Sequence, residues 1–394
     1  MNGGMATSVR TTLRADATLP GLLRYFLRLG TTGFGGPVVL VERMRRDLQE
    51  ARGWFTADEY AEGLAFAQLA PGPLAAQLAL YLGWVRAGAL GAMLVGVAFI
   101  GPSFAMVLAL SVAYVRFGGL PWMRGAFYGI GAAVIALMAQ SAWRLARRTV
   151  GREPLLWTIA GVNAVVTAWT RSESVGLIAV SGLAVLLARE TRTGGTMPMP
   201  AVLLPSWLTT GIHGKATWHA VAAVAGYFAK AGALVFGSGL AIVPFLHGGV
   251  VQQMHWLDER QFLDAVAVSM ITPGPVVITV AFIGFLVAGP LGAIAAAVGV
   301  FLPVFLVVVF VARVFHRLGA NRRLRALIAG VIAATTGAIG GAVFVLGQRA
   351  ITDAGTWAIL ATSTAVVLFA KRIPEPVIIL VAGVVGIILR THAA

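Results

Sequence analysis

This chain has little charge and no cysteine. Only 11% of its 394 residues are charged, whereas an ordinary soluble domain carries about 25%. So few charged side chains cannot cover a surface that faces water, and the hydrophobic residues, 58% of the chain, form runs long enough to cross a bilayer. The sequence therefore predicts an all-α polytopic membrane protein, with the lipid bilayer as a partner. The lack of cysteine excludes disulfides, thiolate metal sites and cysteine nucleophiles.

Motifs for cofactors and catalysis are also missing. The six histidines are scattered and form no HExxH pair, GSGLAI (237–242) lacks the third glycine of a dinucleotide fingerprint, and no P-loop is present. We therefore expect no cofactor, no metal and no enzymatic activity. The net charge of +15 is typical of Lys/Arg enrichment in cytoplasmic loops, so no nucleic acid partner is expected. Residues 1–24 do not resemble a cleavable signal peptide.

The chain contains two homologous halves. YFLRLGTTGFGGPVVLV (25–41) matches YFAKAGALVFGSGLAIV (227–243) at a constant offset of 202 residues, and the same offset brings LAPGP (69–73) onto ITPGP (271–275). After a slip of one residue the match continues to the end of the long apolar segments. The sequence thus predicts an N-terminal repeat (1–192), a Gly/Pro/Thr-rich linker (193–218) and a C-terminal repeat (219–394).

Loop charge predicts that the two halves are inverted. The loop after the first apolar segment carries Arg43, Arg45, Arg46 and Arg52, but its counterpart (247–260) has Arg260 alone among the arginines and lysines. The other loop pairs reverse their bias in the same way, which by the positive-inside rule places the repeats upside down relative to each other. Two apolar segments lie between the cytoplasmic loop at 43–52 and the outer loop at 116–124, although only one net crossing is allowed there. We therefore predict that 59–84, and its partner 261–286, enter the membrane and return as re-entrant hairpins, which leaves about ten transmembrane helices.

Both predicted hairpins are broken at Pro-Gly-Pro. A helix broken at membrane depth leaves backbone groups unpaired, and the exposed N-terminus of a half-helix favours an anion. A second pair of breaks lies in the first segment of each half. The candidate substrate-binding residues at the four breaks are Phe34, Gly35, Gly36, Pro37, Pro71, Gly72, Pro73, Phe236, Gly237, Ser238, Gly239, Pro273, Gly274 and Pro275. The alternative is that these residues only kink helices or let them approach closely.

Fixed charge and polar groups accompany the breaks. Arg28 and Lys230 occupy equivalent positions before the glycine clusters, where a charge either contacts substrate or snorkels to the interface; Lys230 lies deeper in its segment. Glu62 and Asp264 are equivalent acids at the hairpin entries, which either bind protons or pair with arginines. The polar candidates near the Pro-Gly-Pro tips are Gln68, Gln77, Ser269, Thr272 and Thr279.

These motifs resemble a known family. FGGP followed by VERMRRDL, Trp54, QLAPGP and the second copy FGSG…W…TPGP resemble the chromate ion transporter family in its two-domain form. The resemblance implies a multi-pass protein of the bacterial inner membrane that exports chromate and confers chromate resistance. It also implies that the residues of FGGP and of the first Pro-Gly-Pro matter for transport. The second half departs from the pattern, because FGSG lacks the proline.

The residues alone indicate a small oxyanion and leave alternatives open. Sulfate has the same shape and charge as chromate, so a sulfate-type anion permease and a passive oxyanion channel stand beside the exporter. An enzyme embedded in the membrane is disfavoured, because no His/Asp/Ser constellation lies in the apolar segments. The direction of transport, the coupling ion and the oligomeric state, including a homodimer, are left open.

Overall fold

A computed structural model describes residues 18–34, 36–117, 120–170, 175–190, 218–234, 236–237, 242–315, 322–370 and 373–392. Within these ranges the chain forms fourteen α-helices and one pair of two-residue strands. The predicted all-α architecture is therefore confirmed. The predicted linker lies outside the described residues, except Trp218, which begins a helix.

The first half runs through seven α-helices. They are α1 (Leu19–Thr32), α2 (Gly36–Met44), which continues as a π-helix (Arg45–Ala51), α3 (Ala57–Leu69), strand β1 (Gly72–Pro73), α4 (Leu74–Phe117), α5 (Pro121–Thr149), α6 (Pro154–Thr170) and α7 (Val175–Glu190).

The second half repeats this order. Its elements are α8 (Trp218–Leu234), strand β2 (Phe236–Gly237), α9 (Ile242–Leu246) with a π-helix (His247–Gln253), α10 (Glu259–Ile271), a 3-10 turn (Val276–Ile278), α11 (Thr279–Val311) with a further 3-10 turn (Ala312–Val314), α12 (Arg322–Ala350), α13 (Ala354–Phe369) and α14 (Glu375–His392).

Local chemistry sets the same helix boundaries in both halves. Thr56 caps α3 in a capping box with Glu59, and Asp258, at the equivalent position, caps α10 in a capping box with Gln261. The two π-helices occupy positions exactly one repeat offset apart, which is 202 residues. Glycine follows α1 and begins α2, so the helix predicted to break at GFGGP does break there.

The first Pro-Gly-Pro turns the chain back on itself, and a helix also ends just before the second. Beyond the first one, α4 begins and runs antiparallel to α3, so that Gly63 packs against the side chains of Leu78 and Tyr81. A second reversal follows within α4 at Ala87 and Gly88, where the backbone leaves the helical region. Equivalent non-helical angles occur in α11 at Ala288 and Gly289. In the first predicted hairpin, α3 and the start of α4 are thus antiparallel helices.

The two halves interlock reciprocally. Helices α6 and α7 of the first half pack against α12 of the second, while α13 and α14 of the second half pack against α5 of the first. Glycines allow backbones to meet at both contacts: a Cβ on Gly337 would lie 2.0 Å from the carbonyl oxygen of Ala160, and one on Gly129 would overlap the carbonyl oxygen of Ala382. Each half therefore contributes helices that pack on the other half.

Apolar helices long enough to cross a bilayer are present in both halves. By length and composition, four of the described helices qualify: Leu74–Phe117, Pro121–Arg147, Val276–Val311 and Ala326–Ala350. Shorter apolar helices accompany them at Pro154–Thr170, Leu177–Ala188 and Ala354–Phe369. Large apolar side chains such as Phe310 and Phe369 cover the outside of the bundle, as expected of a surface that faces lipid. The number of crossings and the re-entrant course of the hairpins stay predictions.

Candidate functional site

The broken segments of the two halves pair with each other. Strand β1 lies parallel to β2, with Gly72 opposite Phe236 and Pro73 opposite Gly237. Reciprocally, the backbone N–H of Gly274 donates to the carbonyl oxygen of Gly33 at 2.8 Å. Each Pro-Gly-Pro is therefore bound by the glycine break of the other half. We call these segments (33–34, 36–37, 71–73, 236–237 and 273–275) the crossed breaks; the predicted site residues Gly35, Ser238 and Gly239 lie outside the described residues.

Glycine makes this close pairing possible. Gly72 and Gly274 have φ angles of +140° and +100°, which residues with a Cβ rarely adopt. A Cβ on Gly274 would also lie 2.0 Å from the hydroxyl oxygen of Ser103. Ser103 is fully buried and donates its hydroxyl to the carbonyl oxygen of Gly30 at 3.3 Å. Sequence reasoning did not single out Ser103, which aligns with a valine in the second half.

Two helices begin at the crossed breaks. Pro73 is followed directly by α4, and Pro275 is followed by the turn Val276–Ile278 and then by α11. β1 contacts α11 and the turn contacts α4, so the two N-terminal ends lie close together. Helix N-termini carry free N–H groups and a partial positive charge of about half an elementary charge each. The crossed breaks thus combine backbone donors and positive potential, which suits an anion.

The polar side chains predicted near the tips are mostly engaged by the backbone. Gln77 is fully buried, and its Nε2 donates to the carbonyl oxygen of Pro71, while its Oε1 has no hydrogen-bond partner among the described residues. The hydroxyl of Thr272 donates to the carbonyl oxygens of Val268 and Ser269, so it has no proton left for an anion in this conformation. Gln68 is exposed. Of these candidates, Gln77 alone presents a buried and unsatisfied atom next to a Pro-Gly-Pro.

The two candidate acids each meet a tyrosine. Asp264 is only 5% exposed and accepts a hydrogen bond of 2.7 Å from the phenol of Tyr114, which belongs to the other half. Glu62 is half-buried, and the phenol of Tyr81, from its own half, lies within hydrogen-bonding reach.

Aromatic residues complete both acid sites in a complementary way. Phe282 packs against Tyr114 at 5.2 Å between ring centroids, and Phe315 packs in the same apolar cluster as Tyr81. In the repeat alignment Tyr81 corresponds to Phe282 and Tyr114 to Phe315, so each acid keeps one tyrosine and one phenylalanine. Sequence reasoning missed both tyrosines, although this Tyr/Phe exchange between the repeats could have revealed them.

The side chains of the two candidate cations are exposed and are not part of the crossed breaks. Lys230 lies within its apolar segment, as predicted, and its side chain is on the exposed side of α8, because the buried side of that helix is formed by Val224, Tyr227, Phe228 and Ala231. Arg28 is exposed on α1 in the same way. Phe34, next to the glycine break, is 38% exposed. None of these three side chains is buried in the contact between the halves.

Arg28 instead belongs to a basic pocket. This cavity of about 330 Å³ lies between α1, α2 and the π-helix that follows, and we call it the basic pocket; its lining residues are Tyr25, Arg28, Leu29, Arg43, Arg46, Asp47, Ala51 and Arg52. The neighbouring Arg45 does not line it. Arg45 donates to Glu42 and Glu50, and its guanidinium holds the pKa of the Glu42 carboxyl below the usual range.

Interlocked homologous halves, long apolar helices and broken helices buried where the halves cross define a multi-pass membrane transporter. A family model described as chromate transporter matches residues 21–186 and again residues 222–387, one copy in each half. The chain therefore belongs to the chromate transporter family, and the resemblance seen in its motifs is confirmed.

Several curated proteins are similar along nearly the whole chain. The chromate transport protein of Cupriavidus metallidurans is 52% identical over 375 residues, which cover 94% of this chain and 93% of that protein. The probable chromate transport protein of Synechococcus elongatus is 50% identical over 380 residues, covering 94% and 95%. The chromate transport protein of Pseudomonas aeruginosa is 34% identical and covers 84% of this chain and 81% of its own length. No solved structure gives a significant match.

Proposed function

We propose that this protein is a secondary transporter that exports chromate, or a similar tetrahedral oxyanion such as sulfate, across the bacterial inner membrane and so confers chromate resistance. The observation that carries the proposal is the pair of helix N-termini that begin at the crossed breaks. Their free N–H groups offer an oxyanion the same kind of site that helix N-termini offer to phosphate and sulfate in soluble proteins. The names of the similar proteins support chromate as the substrate.

Alternating access follows from the reciprocal pairing. Few backbone hydrogen bonds hold each Pro-Gly-Pro to the other half, and one such bond contributes only about 0.5–1.5 kcal/mol net. One of the two contacts joins β1 to β2, and the other joins Gly274 to Gly33. When one of these contacts breaks and the other is kept, the substrate site opens toward one face of the membrane. In inverted repeats, exchanging the two arrangements opens it toward the opposite face. The glycines and prolines at the tips are therefore the residues we propose to line the transported anion.

The membrane potential and protons are the candidate driving forces. A divalent anion that leaves a cell with a negative interior gains about 4.6 kcal/mol per 100 mV, twice the value for one charge. Asp264 and Glu62 are the candidates for proton coupling, because each carboxyl is held by a tyrosine at the start of a hairpin. Asp264 is the stronger candidate, since a buried carboxyl with one hydrogen-bond donor is the costlier one to keep ionised.

Uptake into inside-out vesicles tests the proposal. Vesicles that contain the protein should accumulate chromate when their interior is made positive, and control vesicles should not. Sulfate in excess shows whether the site distinguishes the two anions. Absence of chromate accumulation under every imposed gradient, together with unchanged chromate sensitivity of cells that express the protein, would refute it.

The same vesicles distinguish a passive channel from a coupled transporter. A channel would carry chromate only down its own electrochemical gradient, and its flux would not respond to a pH gradient at fixed potential. A coupled transporter would move chromate against its gradient when protons run the other way. Asp264→Asn should abolish that response if Asp264 couples the two flows.

A further inference from the structure

The basic pocket carries more positive charge than its own acid can compensate. Four arginines and one aspartate line it, which leaves a net charge of +3. Asp47 serves three groups at once: it accepts from the phenol of Tyr25 at 3.4 Å and lies 3.7 Å from Arg43 and 3.4 Å from Arg46. Within the described residues, the guanidinium of Arg28 makes no hydrogen bond or ion pair.

The pocket is large enough for a hydrated anion. Its 330 Å³ is many times the roughly 10–15 Å³ that a cavity needs to hold one water molecule. A tetrahedral oxyanion with part of its hydration shell fits this space, and arginine forks match its oxygen atoms. Arg52 is held in place by stacking on Trp54 at 4.7 Å and on Tyr25 at 5.4 Å, so its charge is preorganised beside the cavity.

The second half has filled the equivalent space. Arg46 and Asp47 correspond to Gly248 and Gly249, and a Cβ on Gly249 would lie 2.0 Å from the phenol oxygen of Tyr227. Arg43 corresponds to Phe245, whose ring stacks on Tyr227 at 5.6 Å. The equivalent helix and π-helix therefore form a basic cavity in the first half. In the second half they pack against the stacked rings of Tyr227 and Phe245, which we call the aromatic plug.

The basic pocket lies beside a crossed break. Arg43 donates from Nη1 to the carbonyl oxygen of Thr32 at 3.3 Å, one residue before the Gly33 that binds Gly274. Arg28 lies five residues before Gly33 on α1, a distance of about 7.5 Å along the helix axis. An anion in the pocket is thus within about two helical turns of the place where we propose that substrate crosses.

We propose that the basic pocket is a docking site for the divalent tetrahedral oxyanion on one membrane face, from which the anion passes to the crossed breaks. The arginine-rich loop places this face in the cytoplasm by the positive-inside rule. Because aromatic side chains occupy the equivalent position in the second half, the docking site lowers the KM for the anion on the cytoplasmic side, while the imposed gradients set the direction of net transport. This inference rests on the proposed function and assigns it a second, outlying substrate site.

Initial rates of chromate uptake by inside-out vesicles test the site, because their outer face is the cytoplasmic one. Arg46→Gln and Arg28→Gln should each raise the KM for chromate about tenfold, which corresponds to about 1.4 kcal/mol at 25 °C. Salt should raise the KM of the unaltered protein more than that of either variant, since screening weakens an attraction the variants have lost. Arg45→Gln is the matched control: it removes an arginine from the same π-helix outside the pocket and should change KM less than twofold.

The Asp47→Asn variant tests whether the changes in KM arise from pocket charge rather than from misfolding. It removes the only acid that lines the pocket and should lower the KM two- to threefold, which a damaged protein would not do. The docking site is overturned if the Arg46→Gln and Arg28→Gln variants keep the KM and salt dependence of the unaltered protein, or if only their maximal rate changes. Either result leaves chromate export intact, whereas a complete lack of uptake by the unaltered protein would count against the proposed function itself.

Discussion

Gly274→Ala is expected to disrupt one crossed break while leaving every charged residue in place. Gly274 has a φ of +100°, and a left-handed backbone costs a residue with a Cβ about 1–2 kcal/mol. The new methyl group would lie 2.0 Å from the hydroxyl oxygen of Ser103, so the tip must move, and the hydrogen bond to Gly33 is lost at a cost of about 1 kcal/mol. Together these effects disfavour the paired state by about 2–3 kcal/mol, a factor of roughly 30 to 150 in its population.

Chromate uptake and thermal unfolding of the purified protein measure this effect. Gly151→Ala is the control, because Gly151 also has a positive φ but a Cβ there would meet nothing within 4 Å. The Ser103→Ala/Gly274→Ala double variant should recover the part of the loss caused by the clash, since the next atom of residue 103 lies 3.1 Å away. If Gly274→Ala transports chromate as well as Gly151→Ala does, the crossed breaks are not part of the transport cycle.

Three further changes probe the surroundings of the site. Tyr114→Phe leaves the buried carboxyl of Asp264 without its donor and should lower the free energy of unfolding by about 1–3 kcal/mol in denaturant titrations; an unchanged value would show that another donor replaces the phenol. Gln77→Leu removes one hydrogen bond but also an unpartnered oxygen, so its unfolding free energy should stay within about 1 kcal/mol while chromate uptake falls; normal uptake would assign Gln77 a packing role only. Asp258→Ala removes a capping box and should cost about 1 kcal/mol in the same titration, and a neutral result would mean that packing alone holds the start of α10.

Much of the fold could be predicted from the sequence, because it depends on chemistry within a few residues. Low charge and long apolar runs require a membrane protein whatever the topology. The breaks at GFGGP and at both Pro-Gly-Pro segments follow from the limited φ angles of proline and the freedom of glycine, and the structure has helix ends at all of them. The constant offset between the repeats likewise predicted the same order of segments in both halves, and the two π-helices, which were not predicted, follow the same offset.

Side-chain surroundings could not be predicted in this way, since they depend on how each helix is rotated in the bundle. Lys230 lies in the middle of an apolar segment, but it falls on the exposed side of α8 once that helix packs against α11. Asp264 was a candidate from its position alone; its partner Tyr114 is 150 residues away and belongs to the other half.

The sequence by itself determined where the helices break and that the breaks come in matched pairs, because backbone conformation at glycine and proline is set locally. Only the tertiary structure decided that each Pro-Gly-Pro pairs with the glycine break of the opposite half rather than its own. It also decided that one half keeps a basic cavity where the other inserts an aromatic plug. The pairing of the breaks depends on contacts that only the packing of the two halves brings together, whereas the cavity and the plug depend on how neighbouring helices within one half pack.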